Sequence, residues 1–453
     1  MGGDMLNAMK YISTVPFSGL FNWSVQYLNG SKIAFSKAYP MMRIGEFLKR
    51  NKTAVAIEDD KTYKRATIKV RNGGIFLRDE EIGSKIGTKN QFLISKGQFL
   101  LSKIDARNGA FGVVPEVLDG GITTGNFWTF DVDYNIINPH YLALLTTTEA
   151  FVQFCEQASN GTTNRHYLQE PLFLNIKVPV PSLEEQNKLV KEYNKQISLA
   201  RNLGEKARQE ELDIHAYILS KLGVKLPNHK LSQEAKNREL ISFVNYKDVD
   251  RWDMWSKEQY IHSLQNQSIY KSVQLGALDF VGRSWKKDSE SFRYIEMSDV
   301  DPIFGIVNDT IISTKDAPSR ATQSVNTGDL IIGTTRPYLK RFAIVTSKHN
   351  NCICSSAFQV IKPNKNYNLE YVYYFLQTQL AIMQFEAFMT GALYPAINTS
   401  DLGRIKIILP PLSVQEMISR YANKKRAKVK QYILQSKKGS VEALTNFETK
   451  IFE

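Results

Sequence analysis

The stretch "NIKVPVPSLEEQNKLV" (residues 175–190) decides how the chain is organised. An alternating apolar run ends in Pro179 and Pro181, and a Glu/Lys-rich helical pattern starts directly after it. Proline has no amide hydrogen to give a sheet ladder, so the strand stops here. Ser182, with Glu185 three residues on, reads as a capping box that starts a helix. The same hand-off returns in "RIKIILPPLSVQEMIS" (404–419). A junction that occurs twice at long range calls for a test of the whole chain for duplication.

With a shift of 231 residues, Tyr39 falls on Tyr270, Gly45 on Gly276, Gly97 on Gly328, Phe111 on Phe342 and Phe127 on Phe358. The offset is 230 at Tyr141 and Tyr371, and 229 at Pro181 and Pro410, Leu183 and Leu412, and Gln186 and Gln415. Near the starts, "NWSVQYL" (22–28) resembles "RWDMW" (251–255). The chain therefore reads as two copies of one unit. Each has a globular part and then a long helix, with boundaries expected at 1–181, 182–226, 227–411 and 412–453. Short β-rich runs such as "GQFLLSKI" and "DLIIGTT" alternate with helical stretches such as "PHYLALLTTTEAFVQFCEQA", so the globular parts are mixed α and β. A glycine loop, "NGTTNRHY" (160–167) or "TGALYPAI" (390–397), follows the helical stretch of each copy.

In 182–222, Val190, Tyr193, Ile197, Ala200, Gly204, Ala207, Glu211, Ile214 and Ile218 alternate steps of three and four, which is a coiled-coil seam. Gly223 and Pro227 mark its end. Ile418, Ala422, Val429, Ile433, Val441, Leu444 and Ile451 give the second copy a looser stripe. Neither stripe can be buried alone, so the two helices are expected to pack on each other. A two-fold relation makes them antiparallel, with one globular domain at each end, a shape suited to two oppositely oriented DNA sites.

The length of 453 residues exceeds one ordinary core. The net charge of +13 fits either a polyanion partner or a basic protein without one. No apolar run reaches the ~18–20 residues of a membrane span, and the first residues lack a secretory pattern. Three cysteines, Cys155, Cys352 and Cys354, make no disulfide framework. A cytoplasmic location is expected. Cys352 and Cys354 read as packing residues, with no second ligand pair for a metal nearby.

Three motifs together resemble the specificity subunit of type I restriction–modification systems, over almost the whole chain. They are the repeated junction ("VPVPSLEEQ" and "ILPPLSVQE"), "SKIDARNGAFGVVP" (102–115) and "GDLIIGTTRPYLKRFAIV" (328–345). The second junction departs from the family's Glu-Gln order, with Val414-Gln415-Glu416. The resemblance implies an α+β fold: two target-recognition domains separated by two long antiparallel helices, an internal pseudo-two-fold repeat. It implies a non-catalytic protein in which each domain reads one half of a split double-stranded DNA target. Two methyltransferase subunits would dock on the helices and restriction subunits would join them. S-adenosylmethionine, ATP and Mg would belong to those partners, with no cofactor in this chain. A specificity module of another DNA-modifying defence system and a scaffold without sequence preference are the alternatives.

Residue chemistry agrees. "NPHY" (138–141) differs from the Asn-Pro-Pro-Tyr of adenine methyltransferases at His140, and no glycine-rich cofactor loop precedes it. No G-x-x-x-x-G-K-[S/T] phosphate loop is present. DNA contacts are expected instead from Lys103, Arg107 and Asn108, from Asn164 and Arg165 (beside His166), from Arg283, Trp285, Lys286 and Lys287, and from Arg336, Tyr338, Lys340 and Arg341. Arginine can pair with guanine and asparagine with adenine in the major groove, or either can hold phosphate. The helical "NKKRAKVK" (423–430) is open to a partner subunit, DNA or water.

Overall fold

The computed structural model describes residues 39–70, 73–157, 159–160, 167–226 and 255–452. Residues 22–28 and Asn164, Arg165 and His166 lie outside the described residues, as do 251–254. The chain forms two compact units, residues 1–200 with 437–453, and residues 201–436.

The strands of unit 1 are β1 (Met41–Arg43), β2 (Leu48–Asn51), β3 (Ala54–Ala56), β4 (Thr62–Lys69), β5 (Gly74–Ile82), β6 (Asn90–Ile94), β7 (Phe99–Ser102), β8 (Phe111–Val113), β9 (Gly121–Thr124), β10 (Phe127–Val132), β11 (Ser159–Asn160), β12 (Tyr167–Leu168) and β13 (Lys177–Pro179). They form one sheet in the order β2-β10-β7-β8 and another in the order β3-β6-β9-β4-β5, with β1 paired to β13 and β11 to β12. Helices α1 (Pro139–Thr147) and α2 (Glu149–Gln157) follow β10, and the long α3 (Leu183–Lys221) follows β13.

Unit 2 contains α4 (Trp255–Gln265), then β14 (Ser272–Gln274), β15 (Phe280–Val281), β16 (Ser291–Ile295), β17 (Val300–Asp301), β18 (Gly305–Ile306), β19 (Thr310–Ser313), β20 (Ala321–Val325), β21 (Leu330–Gly333), β22 (Phe342–Ile344), β23 (Cys352–Ser355) and β24 (Phe358–Ile361). Helices α5 (Leu369–Leu376) and α6 (Gln379–Phe388), strand β25 (Lys406–Ile408) and the long α7 (Leu412–Phe452) complete the chain. The sheet order repeats: β15-β24-β21-β22, and β20-β23-β16-β19, which matches β6-β9-β4-β5 without a counterpart of β3. Each of these second sheets has one parallel pair, at equivalent residues Ile122 (to Arg65) and Ile353 (to Tyr294). β14 pairs with β25 as β1 pairs with β13. Beside those ribbons the backbones touch. A Cβ on Gly45 would meet Leu174 O at 3.2 Å, and one on Gly276 would meet Gly403 Cα at 3.0 Å.

The same symmetry runs through the cores. In unit 1, Leu189 of α3 and Phe447 and Ile451 of α7 close a cluster around Phe99, Phe130, Tyr141 and Phe173. In unit 2 the repeat-equivalent residues Ile418, Ile218 and Leu222 close a cluster around Phe342, Tyr371 and Phe385. Within each unit the helix segments run antiparallel. Lys450 bonds Glu192 and Asn446 bonds Gln196 in unit 1. Tyr217 stacks on Tyr421, and Lys425 meets Glu210, in unit 2. Every expected seam position of α3 is buried or half-buried. The α7 stripe needs a correction: Val441 is 66% exposed, and Ala443 and Phe447 take the inner positions. The sequence stripe was too loose to fix the helix rotation there. At the end of α3, Gly223 (φ 76°) closes a Schellman turn, with Val224 N–H on Leu219 O and Gly223 N–H on Ser220 O.

The repeated junction owes its sequence to one buried side chain. Gln186 Oε1 accepts from Asn138 N–H at 2.7 Å, and its Nε2 donates to Pro181 O at 2.8 Å and Ile136 O at 3.0 Å. Gln415 repeats this with Asn368 N–H at 2.9 Å and Pro410 O at 2.7 Å. The glutamine thus satisfies the proline carbonyl and the amide of the N-cap of an earlier helix, α1 or α5, which explains why its position is kept while Glu185 gives way to Val414. Ser182 Oγ accepts from Glu185 N–H at 3.3 Å, as the cap expected. "NPHY" is a helix start: Asn138 caps α1, and the Tyr141 hydroxyl donates to Pro179 O at 2.9 Å. Cys155, Cys352 and Cys354 are buried free thiols in apolar clusters. Burial pushes the Cys354 thiol up to about 12.

Candidate nucleic-acid interface

In both copies the loop after the third-ranked sheet strand (β7 or β21) is stitched to the glycine loop. Leu168 N–H donates to Lys103 O at 2.8 Å, and the equivalent Ile397 N–H to Thr334 O at 2.9 Å. Leu168 and Ile397 are both buried, which anchors the base of each loop pair. A cation lies near an aromatic ring across each pair. Lys103 Nζ is 5.5 Å from the centroid of Tyr167, and Arg336 Cζ is 4.6 Å from that of Tyr394.

In the first copy Asp105 organises the loop rather than doing chemistry. Its carbonyl accepts from Asn108 N–H at 2.8 Å, and its Oδ1 accepts from Asn108 Nδ2 at 3.2 Å. Asn108 is exposed, and Lys103 and Arg107 are half-buried.

In the second copy the four chosen side chains separate. Arg336 stands at the tip with φ 49°, its Nη2 donating to Leu393 O at 3.0 Å. Tyr338 packs on the unit 2 core. Arg341 donates to Met297 O at 2.5 Å. Lys340 turns inward, where burial lowers its pKa, Glu211 opposing and Arg426 adding to the effect. The "VGRSWKKDS" segment is also divided. Arg283 forms a bidentate pair with the buried Asp329 at the start of β21, away from the Arg336 end of that strand. Trp285 packs on Phe292 with ring centroids 4.1 Å apart, beside the exposed Lys286 and Lys287.

Other basic residues hold the protein together. Arg65 grips Asp79 with two bonds, at 2.6 and 2.8 Å, inside the β4–β5 hairpin. In "NKKRAKVK", Arg426 is buried, bonded to Gln377, Pro302 O and Glu211. Lys425 pairs with Glu210 and Asp213, while Lys424 and Lys428 face outward. Around Glu211, burial would raise the carboxyl, but His215, whose Nε2 lies 3.5 Å away, and the charge of Arg426 outweigh it and hold the pKa low. Among the described residues no group of three His, Cys, Asp or Glu is placed to hold a metal, and no helix is long and apolar enough to cross a membrane.

Leu393 and Tyr394, 81% and 71% exposed, were missed by sequence reasoning. A Leu-Tyr pair in a loop carries no sign of whether it points in or out. The one available signal was the glycine loop itself.

A duplicated fold that presents a stitched loop pair with a cation beside an aromatic ring in each copy is suited to reading a polyanion at two sites. The comparisons give the class a family. The model of the type I restriction modification DNA specificity domain matches residues 37–206 and again 282–424, more than half the chain. The chain belongs to this family, and its role is DNA specificity in a type I restriction–modification system. No curated protein matches it. Several solved structures are similar, three of them as follows. One comes from work on complex assembly and conformational transition of the type I R-M system (15% identity, 92% of this chain and 97% of that one, TM-score 0.49). The HsdS subunit from Thermoanaerobacter tengcongensis shares 15% identity over 91% and 95% of the two chains, with TM-score 0.39. The S subunit from M. genitalium shares 12% over 92% and 97%, with TM-score 0.44. The assignment rests on the domain matches.

Proposed function

We propose that the chain is the non-catalytic subunit that gives such a complex its DNA target. Each globular part reads one half of a bipartite duplex sequence through its loop pair. Two adenine-methyltransferase subunits dock on the helices, and restriction subunits join them. The partners bring S-adenosylmethionine, ATP and Mg. The observation that carries this reading is that an equivalent backbone bond, Leu168 N–H to Lys103 O and Ile397 N–H to Thr334 O, stitches the loop pair in both copies. A second observation supports the pair of docked subunits. Leu212 and Val441, 49% and 66% exposed, occupy equivalent positions of the two helices, so identical partners can meet equivalent apolar spots. Co-expression with a methyltransferase subunit tests the proposal. A complex with two such subunits and methylation at a defined split motif is expected, with no methyl transfer, ATP hydrolysis or DNA cleavage by the chain alone. Robust methyl transfer by the isolated chain would refute it.

A further inference from the structure

The glycine loop of unit 2 carries an apolar tip that none of the described residues covers. Leu393 is 81% exposed, Tyr394 71% and the neighbouring Leu339 41%. Single exposed apolar side chains are ordinary, but three on the two loops that hold one guanidinium are not. The tip is built to be firm. Thr390 and Ala396 exchange two backbone bonds of 2.8 Å, and Arg336 N–H donates to Pro395 O at 2.7 Å. Arg336 itself is held in the left-handed region, which is costly for a residue other than glycine. Its guanidinium is fixed on one face by Tyr394 and at Nη2 by Leu393 O. Nε is buried, and Nη1 has no partner among the described residues.

The guanidinium is therefore oriented before any ligand arrives, with Nη1 and the second hydrogen of Nη2 left to donate. A phosphate would match its charge but not the apolar groups around it. A base edge matches both. In the major groove guanine offers two acceptors, N7 and O6, to a planar fork, and thymine offers the apolar methyl. We propose that Arg336 reads a guanine in the half-site of the second domain, and that Leu393 packs on the thymine methyl of an adjacent base pair. Tyr394 is a positioning residue that holds Arg336 in its reading pose. The first copy has the same plan, with Lys103 over Tyr167 across the same two loops. This rests on the reading of the chain as a DNA specificity subunit.

The experiment uses the complex reconstituted with its methyltransferase subunits. Methylome sequencing gives the wild-type motif, and Arg336→Ala marks the half-site that belongs to the second domain. That half should contain guanine beside thymine. Tyr394→Ala and Arg336→Lys should relax the guanine position alone, by roughly tenfold or more, whereas Tyr394→Phe keeps the ring and the motif. Leu393→Ala should relax only the thymine position, and uracil in place of that thymine should reproduce its effect on the wild-type complex. Leu393 and Tyr394 are exposed, so thermal unfolding of their variants should not change. A half-site without guanine, an unchanged motif in Tyr394→Ala, or a uniform loss across sequences with a shallower salt dependence would overturn the inference while leaving the specificity role intact. A wild-type complex that methylates no defined motif would overturn the underlying reading as well.

Discussion

Replacing Gln186 by leucine tests why the junction motif exists. The side chain is fully buried and makes three bonds, from Asn138 N–H and to the carbonyls of Pro181 and Ile136. Leucine fills the same space but leaves one amide and two carbonyls without that partner. An orphaned buried group costs about 1–3 kcal/mol. Carbonyls tolerate the loss better than an amide, so the sum should fall at about 2–5 kcal/mol. For a unit of this size 1 kcal/mol moves Tm by about 2–4 °C, which gives a drop of roughly 5–15 °C. Gln415→Leu removes two such bonds and should cost somewhat less. The two glutamines belong to different units, so the double variant should show two separate losses in differential scanning calorimetry. Glu184→Ala, at the exposed neighbouring position, should stay within about 0.5 kcal/mol of wild type. The half-site sequences read by the complex should not change. A shift below 1–2 °C for Gln186→Leu, with ~1 kcal/mol as the smallest expected cost, would mean that the motif is kept for a partner and not for the fold.

Arg107→Ala should weaken recognition of one half-site and Arg336→Ala that of the other, each by about 1–3 kcal/mol at a single position if the arginine reads a base; methylome sequencing of each variant checks this, and uniform weakening identifies a phosphate contact. Four residues inserted near Ala207, with four more near Gln431, should lengthen each helix by about 6 Å. At ~3.4 Å per base pair, the unspecified gap of the methylated motif should then grow by one or two, with the half-sites unchanged; an unaltered gap in an active complex would show that the helices do not set the spacing. His215 is held neutral mainly by burial, the nearby Glu211 opposing, so its pKa is lower folded than unfolded. The unfolded state then binds the extra proton, and stability falls as pH drops below the ordinary histidine value of about 6.5. His215→Gln should lessen the loss of Tm between pH 7 and pH 5, and an identical loss in the variant would refute this role.

The duplication, the junctions and the two long helices were legible in the sequence because each rests on local chemistry. A proline cannot continue a ladder, a serine caps a helix, and a stripe at steps of three and four must be buried. The core positions Ala200, Ile218 and Ile418 follow from the same periodicity. Where the local signal weakened, so did the reading: Val441 fits a loose stripe but faces solvent, because the rotation of α7 is set by what Ala443 and Phe447 pack against. The candidate site was legible only as a set of basic loops. Which cation turns outward depended on partners far away in the chain. Asp329 takes Arg283, Met297 O takes Arg341, the charges of Glu211 and Arg426 surround Lys340, and Tyr394 lies under Arg336. A charged side chain goes where its nearest desolvated partner is, and sequence order does not say which residue that will be. The sequence by itself thus determined the repeat and its hinges. The tertiary structure decided which of four neighbouring side chains in "TTRPYLKRF" is left at the loop tip.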